Sequence, residues 1–330
     1  MKRILITGSS GFIGSFLVEE ALNRNYEVFA GIRKSSSKAF LQDQRIKFIE
    51  FDFSDTASLN KLIAETPAFD YIIHNAGVTK AARRSDYFTA NYLYTRNFVE
   101  ALITQHKVPR KFIYISSLAA YGPGDASSLS PVKATDIPRP VTAYGESKLK
   151  AEQYFLSLTD FPYILIRPTA VYGPREKDLL TVFKMINNNT ELFVGLKKQY
   201  LTFIYVRDLV KAIFMSMESP VQNKGYFVTD GNVYNASMFG SLIKTELGKK
   251  TIRIKIPAFI ARCVASLTEL SKYFTGKQPV LNLDKINELE AVNWKCDFQP
   301  LRDDVHFMPD YDLKKGITET TLWYKKSGWL

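Results

Sequence analysis

The sequence predicts an α/β protein built on a doubly wound parallel sheet, and three observations carry that prediction. Short apolar runs alternate with longer segments of helical spacing through the first half of the 330 residues. A glycine-rich turn follows the first apolar run and opens the first helical segment. No internal repeat, low-complexity tract or long linker divides the chain into independent modules.

Strands are predicted at residues 4–7, 27–31, 47–52, 71–75, 112–116 and 164–167, runs rich in Ile, Phe, Tyr and Val and short enough to be buried strands. Helical spacing fills residues 12–23, 58–65, 87–105 and 144–158, so right-handed crossovers are expected. Past Gly173-Pro174 the alternation fades and basic and apolar residues mix. The expected division is a first domain over residues 1–175 and a smaller, mostly helical substrate-binding domain over residues 176–330. The chain is expected to return to the first sheet at about residues 202–235, through strands at 203–206 and 226–229, before a mostly helical portion from about Ala236.

Composition excludes several classes. The 46% hydrophobic and 23% charged fractions are those of an ordinary globular protein, and no run approaches the ~20 apolar residues of a membrane span. The apolar run Ile4-Leu5-Ile6 is too short for the core of a secretory signal, which leaves the cytoplasm as the expected compartment. The excess of 44 basic over 33 acidic residues is dispersed in pairs such as Arg83-Arg84, Lys249-Lys250 and Lys325-Lys326. That dispersal argues for a solvated surface or an anionic small ligand and against both nucleic acid and an anionic membrane. Cys263 and Cys296 are far apart and are expected to be two buried thiols; His74, His106 and His306 have no ligand spacing, so no metal is expected.

Thr7-Gly8-Ser9-Ser10-Gly11-Phe12-Ile13-Gly14 lies between a strand and a helix, the context in which a glycine pattern means dinucleotide binding. Gly8 permits the tight turn, Gly11 lets backbone N–H groups approach a pyrophosphate, and Gly14 lets the helix pack closely on the strand. Ser10, Phe12 and Ile13 complete the helix N-terminus, whose free N–H groups and dipole favour negative charge. At the end of the second strand an NAD enzyme places an acid for the ribose hydroxyls; here Ile32 stands there, followed by Arg33 and Lys34. A guanidinium suits a 2′-phosphate, so NADP(H) is favoured over NAD.

Tyr144 and Lys148 are four residues apart, which on a helix sets both side chains on one face. A free phenol near pKa ~10 is a poor base at neutral pH, and the expectation is that the Lys148 ammonium favours the phenolate and lowers that value. Tyr144 then exchanges a proton with a carbonyl or alcohol oxygen while a nicotinamide gives or takes hydride. The serines at the end of the strand at 112–116 offer a hydroxyl to the same oxygen.

The glycine turn with its wider spacing, Phe112-Ile113-Tyr114-Ile115-Ser116-Ser117, Tyr144-Gly145-Glu146-Ser147-Lys148 and Arg167-Pro168-Thr169-Ala170-Val171-Tyr172-Gly173-Pro174 together resemble the extended short-chain dehydrogenase/reductases, also called the NAD-dependent epimerase/dehydratase family. The resemblance covers nearly the whole chain and implies a Rossmann-type fold. It implies that Ser117, in preference to Ser116, is the catalytic hydroxyl beside Tyr144 and Lys148. It also implies that Asp52-Phe53 contacts the adenine, that Ala76-Gly77 lies beside the cofactor with Pro168 and Thr169, and that the protein is a homodimer.

Departures from the family pattern bear on the substrate. Ala170 stands where nucleotide-sugar epimerases carry an Asn, Leu201 where they carry a diphosphate-binding Arg, and Leu118-Ala119 where sugar dehydratases carry an Asp-Glu pair. The Arg33 site looks like the flavonoid and aldehyde reductase branch, and the segment through Gly276-Lys277-Gln278-Pro279 resembles the hydroxysteroid dehydrogenase branch. The amphipathic helix at 257–270 is expected to pack on its own domain rather than on a membrane. The expected activity is hydride transfer between NADP(H) and an alcohol or carbonyl small molecule. A nucleotide-sugar epimerase and an NADP(H)-sensing binding protein stand as alternatives.

Overall fold

The computed structural model of the chain describes residues 1–195, 198–275 and 283–330. Seven strands lie side by side: β1 (Arg3–Thr7), β2 (Glu27–Ile32), β3 (Lys47–Glu50), β4 (Tyr71–His74), β5 (Lys111–Ile115), β6 (Tyr163–Pro168) and, after three strands that lie outside this sheet, β10 (Lys224–Val228). Their order is β10-β6-β5-β4-β1-β2-β3 and every pairing is parallel. The inner strands are mostly apolar because both faces of a parallel sheet are covered. Ile4 and Ile6 face one layer and Leu5 the other, as the two-residue period of a strand requires.

Helices α1 (Phe12–Asn23) and α7 (Val206–Glu218) cover the first face through Phe16, Leu17, Ile213 and Phe214. The opposite face is covered by α2 (Thr56–Glu65), α4 (Tyr94–Thr104) and α5 (Ala143–Leu156), with Leu59, Phe98 and Phe155 packed on Phe112 and Tyr114. The helix expected over 87–105 begins earlier, as α3 (Arg84–Phe88), and reaches α4 through a π-helical turn, Thr89–Leu93. This is a Rossmann-type doubly wound sheet.

The chain after residue 175 builds a second apolar cluster. Strand β7 (Ala170–Tyr172) pairs with β9 (Phe203–Tyr205), and their aromatic side chains meet α6 (Leu180–Asn187), α8 (Ala236–Leu247) and α12 (Leu313–Lys326) around Phe183, Phe239, Ile317 and Tyr324. The strand expected at 203–206 therefore does not join the main sheet. Phe203 and Tyr205 belong to the second cluster while Ile204 belongs to the first, so β9 bridges two cores instead of extending one. Of the strand expected at 226–229, residues 226–228 do rejoin the main sheet as part of β10.

A further pair, β8 (Thr190–Val194) with β11 (Ile252–Ile256), interrupts the portion expected to be mostly helical; the alternation in Ile252-Arg253-Ile254-Lys255-Ile256 is its signature. Beyond it come α9 (Ala258–Thr275), α10 (Leu283–Glu290) and α11 (Gln299–Val305). The segment Gly276-Lys277-Gln278-Pro279 lies outside the described residues. Both cysteines are free, but only Cys296 is buried; Cys263 is exposed because α9 turns Ala261 and Ala265 inward. Among the described residues no helix is long and apolar enough to cross a membrane, and no group of three or more His, Cys, Asp or Glu is placed to hold a metal ion.

Candidate active site

Strand order reverses at β1, which is flanked by β2 on one side and β4 on the other, so the loops leaving their carboxyl ends diverge. A cavity of about 850 Å3 opens there. Its floor is the glycine turn. Gly8 has φ +66°, and a Cβ on it would stand 2.8 Å from the Ala76 nitrogen. A Cβ on Gly14 would collide with the Gly8 carbonyl, so Gly14 seats α1 against the turn and does not itself line the cavity. Ser10, Gly11, Phe12 and Ile13 do line it, and the first N–H groups of any α-helix have no intrahelical partner. A pyrophosphate fits this cradle, whose backbone a side chain at Gly8 or Gly14 would force to shift.

At one end of the cavity stand Arg33, Ser36, Asp52 and Phe53. The Arg33 N–H donates to the Ser36 hydroxyl at 3.0 Å and the Ser36 N–H to the Arg33 carbonyl at 2.9 Å. This small turn faces Arg33 and Ser36 to the cavity and leaves exposed Lys34 outside its lining, against expectation. Phe53 stacks on Phe51 with ring centroids 5.1 Å apart. The Asp52 carboxyl lies below its ordinary range because the Ser54 side chain and N–H donate to it.

The middle of the cavity is made by Asn75, Ala76 and Gly77. Gly77 has to be small, since a Cβ there would meet the Asn91 side-chain oxygen at 2.7 Å. The Ala76 N–H donates to the Thr7 hydroxyl at 3.2 Å, tying the ends of β1 and β4 together. His74 is buried between the hydroxyls of Thr7, at 2.9 Å, and Thr95, at 3.1 Å. Burial drives its pKa down to about 3, with the nearby Lys148 charge adding to the effect.

Ser117, Tyr144, Lys148, Pro168 and Thr169 all line the other end. The Thr142 hydroxyl caps α5 by accepting the Gly145 N–H at 3.0 Å, which starts the helix one residue before Tyr144. Tyr144 is pushed up to about 12 by burial, opposed by a hydrogen bond with the Ser117 side chain. Lys148 is pulled down to about 7 by burial, opposed by Glu152. The expected lowering of the Tyr144 value by the Lys148 ammonium is not what the protein shows. The ammonium donates to the Ile115 carbonyl at 2.7 Å and lies 4.7 Å above the Tyr114 ring, and loss of water dominates both groups.

Of the two strand-end serines, Ser116 gives its hydroxyl to the buried carboxylate of Glu152. Ser117 caps the short 3-10 helix Leu118–Ala120 through the Ala119 N–H at 3.1 Å and also meets Tyr144. Glu152 is held in turn by Arg167 at 2.8 Å, both side chains being buried, with the guanidinium 4.6 Å over the Tyr121 ring.

Two residues that line or brace the cavity were assigned no role from the sequence alone. Asn91, in the π-turn, accepts the Val78 N–H at 2.8 Å and donates to the Val78 carbonyl and the Ser147 hydroxyl, locking the loop after β4 to α5. A polar residue between apolar neighbours on an otherwise amphipathic helix was the available signal. Arg175 lines the cavity with φ +73°, donates to the Ser15 hydroxyl at 2.9 Å and stacks on Phe16 and Phe40. An Arg directly after Gly-Pro was its only mark.

A sequence model described as the NAD dependent epimerase/dehydratase family matches residues 4–236. The chain is 24% identical to a ceramide reductase of Caulobacter vibrioides, over 99% of this chain and 96% of that one. It is 25% identical to a UDP-glucose 4-epimerase of Vibrio cholerae, over 97% of this chain and 94% of that one. Among solved structures, a UDP-glucuronic acid 4-epimerase of Bacillus cereus in complex with NAD superposes with a TM-score of 0.78 at 20% identity, covering 98% of this chain and 99% of that one.

Proposed function

Because the chain belongs to the NAD dependent epimerase/dehydratase family and is an enzyme, we propose that it is an NADP(H)-dependent dehydrogenase or reductase interconverting an alcohol and a carbonyl on a largely apolar small molecule. The observation that carries this reading is what flanks Ser117. Leu118 is buried in an apolar cluster with Ala120, Tyr121 and Phe227, and no carboxylate follows the hydroxyl. Removing water from a sugar needs an acid and a base beside the reacting carbon, and this end of the cavity offers Ser117, Tyr144 and Lys148. Ala170 and Leu201 likewise give a sugar diphosphate no charged or amide anchor.

The bound nicotinamide supplies or accepts the hydride. Tyr144 delivers the proton to the carbonyl oxygen, or takes it from the alcohol, and Ser117 donates a hydrogen bond to the same oxygen. Lys148 holds the cofactor ribose, a role supported by its nitrogen lying 3.5 Å from where a Cβ on Gly77 would stand. Gly8, Ser10, Gly11, Phe12 and Ile13 bind the pyrophosphate, Asp52 and Phe53 the adenine, and Ala76, Gly77, Pro168 and Thr169 the nicotinamide end. Ile32 in place of an acid, with Arg33 at the rim, supports NADP(H) over NAD. Residues 176–330 present the substrate, and α4 and α5 form the interface of a dimer. The name of the ceramide reductase relative points to the same apolar substrate class.

The test is titration with NADPH and NADH, followed by a panel of carbonyl compounds and sugar nucleotides. NADPH consumed mole for mole with an apolar carbonyl is the expected result. Epimerisation of a sugar nucleotide without net NADPH consumption would defeat the reading.

A further inference from the structure

Over residues 258–266, helix α9 packs inward with two alanines and turns larger apolar residues outward. Ala261 and Ala265 are buried against Ile256 and Ile286, whereas Phe259 is 76% exposed and Ile260 49%. Cys263, one turn beyond Phe259, is exposed too. The strand feeding this helix continues the surface. In the β8–β11 pair Ile254 sits opposite Leu192, and the two-residue period sets Ile252 on the same face. All three are exposed, Ile252 by 74%. Ile256, next on that face, joins the cluster under α9, so the exposed apolar strand face ends at the foot of the helix.

Its charge selects the occupant. Residues 248–266 hold Lys249, Lys250, Arg253, Lys255 and Arg262 and no Asp or Glu. Arg253 and Arg262 pair with Glu191 and Glu290. Half-exposed Lys249 and exposed Lys250 form no ion pair among the described residues, and the two-residue period sets Lys255 with Arg253 on the opposite face of β11 from Ile252 and Ile254. A second copy docking here about a two-fold axis would set this positive fringe against itself. An anionic lipid surface complements both the apolar centre and the basic fringe.

We infer that the face formed by β11 and the first half of α9 docks on an anionic bilayer surface. Phe259, Ile260 and Ile252 enter the headgroup boundary while Lys249 and Lys250 meet lipid phosphates. The docked face adjoins the site. Asp284 of α10, the helix packed on α9, accepts the Ala143 N–H at 2.9 Å, at the first turn of the helix that carries Tyr144. Docking thus brings the Tyr144 end of the cavity near the bilayer, which suits an apolar substrate; that consequence rests on the function proposed above, and the docking itself does not.

The test sediments the full-length protein with phosphatidylcholine vesicles, with and without phosphatidylglycerol, and labels Cys263 with an environment-sensitive fluorophore. Binding to the anionic vesicles alone, lost at high salt and accompanied by a blue shift of the label, is expected. Replacing Lys249 and Lys250 by Ala weakens partitioning roughly thirtyfold. Phe259→Glu abolishes it while melting temperature and NADPH affinity stay unchanged. No binding to anionic vesicles, or binding indifferent to Phe259→Glu, overturns the inference. So does self-association that Phe259→Glu removes without any vesicle binding, which assigns the face to a second copy. These readouts need no turnover, so a failure of the carbonyl reading leaves them standing.

Discussion

Reducing a carbonyl takes up a proton, so the equilibrium moves tenfold per pH unit whatever the enzyme does. The state of Tyr144 decides which direction of catalysis carries that slope. Burial lifts its pKa to about 12. At pH 7 its phenolate fraction is then on the order of one in 10⁵. As a proton donor Tyr144 is fully loaded; as an acceptor it is almost wholly blocked. With cofactor saturating, kcat/KM for reduction is expected to stay level from pH 7 to pH 10. The oxidative kcat/KM is expected to rise about tenfold per unit, roughly a thousandfold over that span. Saturation keeps the titration of Lys148, at about 7, out of the comparison. Nicotinamide absorbance followed in both directions measures the two limbs. A reductive rate that falls tenfold per unit above pH 7 while the oxidative rate stays flat would show the phenol already ionised and refute the reasoning.

Breaking the buried pair under the site should be costly: Arg167→Met strands the Glu152 carboxylate and is expected to destabilise the fold by about 3–5 kcal/mol, with Arg167→Met/Glu152→Gln recovering part of the loss in urea unfolding. His74 is held at about 3 when folded and titrates near ~6.5 when unfolded. The unfolded chain therefore binds the extra proton between those values, and stability is full above the higher one and falls by about 1.4 kcal/mol per unit as pH drops through the window. His74→Gln should flatten that part of the melting-temperature profile relative to the parent. Gly14→Ala drives a methyl into the Gly8 carbonyl and should weaken NADPH binding at least ~10-fold by fluorescence titration, at a stability cost of about 1–3 kcal/mol.

The parts legible in the sequence are those fixed by local backbone demands. Helix α1 spans Phe12–Asn23 as read, because the glycine turn that opens it and the Asn that closes it are local signals. The Tyr144–Lys148 spacing places both groups in the cavity for the same reason. What was not legible depends on what distant elements bring. The Tyr144 and Lys148 shifts come from burial, so spacing alone suggested the opposite electrostatics. The π-turn has no composition of its own, which hid Asn91 and its grip on Ser147. Residues 203–205 read as an apolar strand, but only the split of their side chains between two cores tells which sheet they join. Cys263 was misjudged because its burial follows from which face of α9 turns inward, set by two alanines.

The most direct measurement is Tyr144→Phe: NADPH affinity by fluorescence titration, and NADPH oxidation with a carbonyl substrate of the parent enzyme. The account predicts unchanged affinity with turnover lowered by about 10²–10⁴-fold. Turnover at the parent rate in the variant would contradict it.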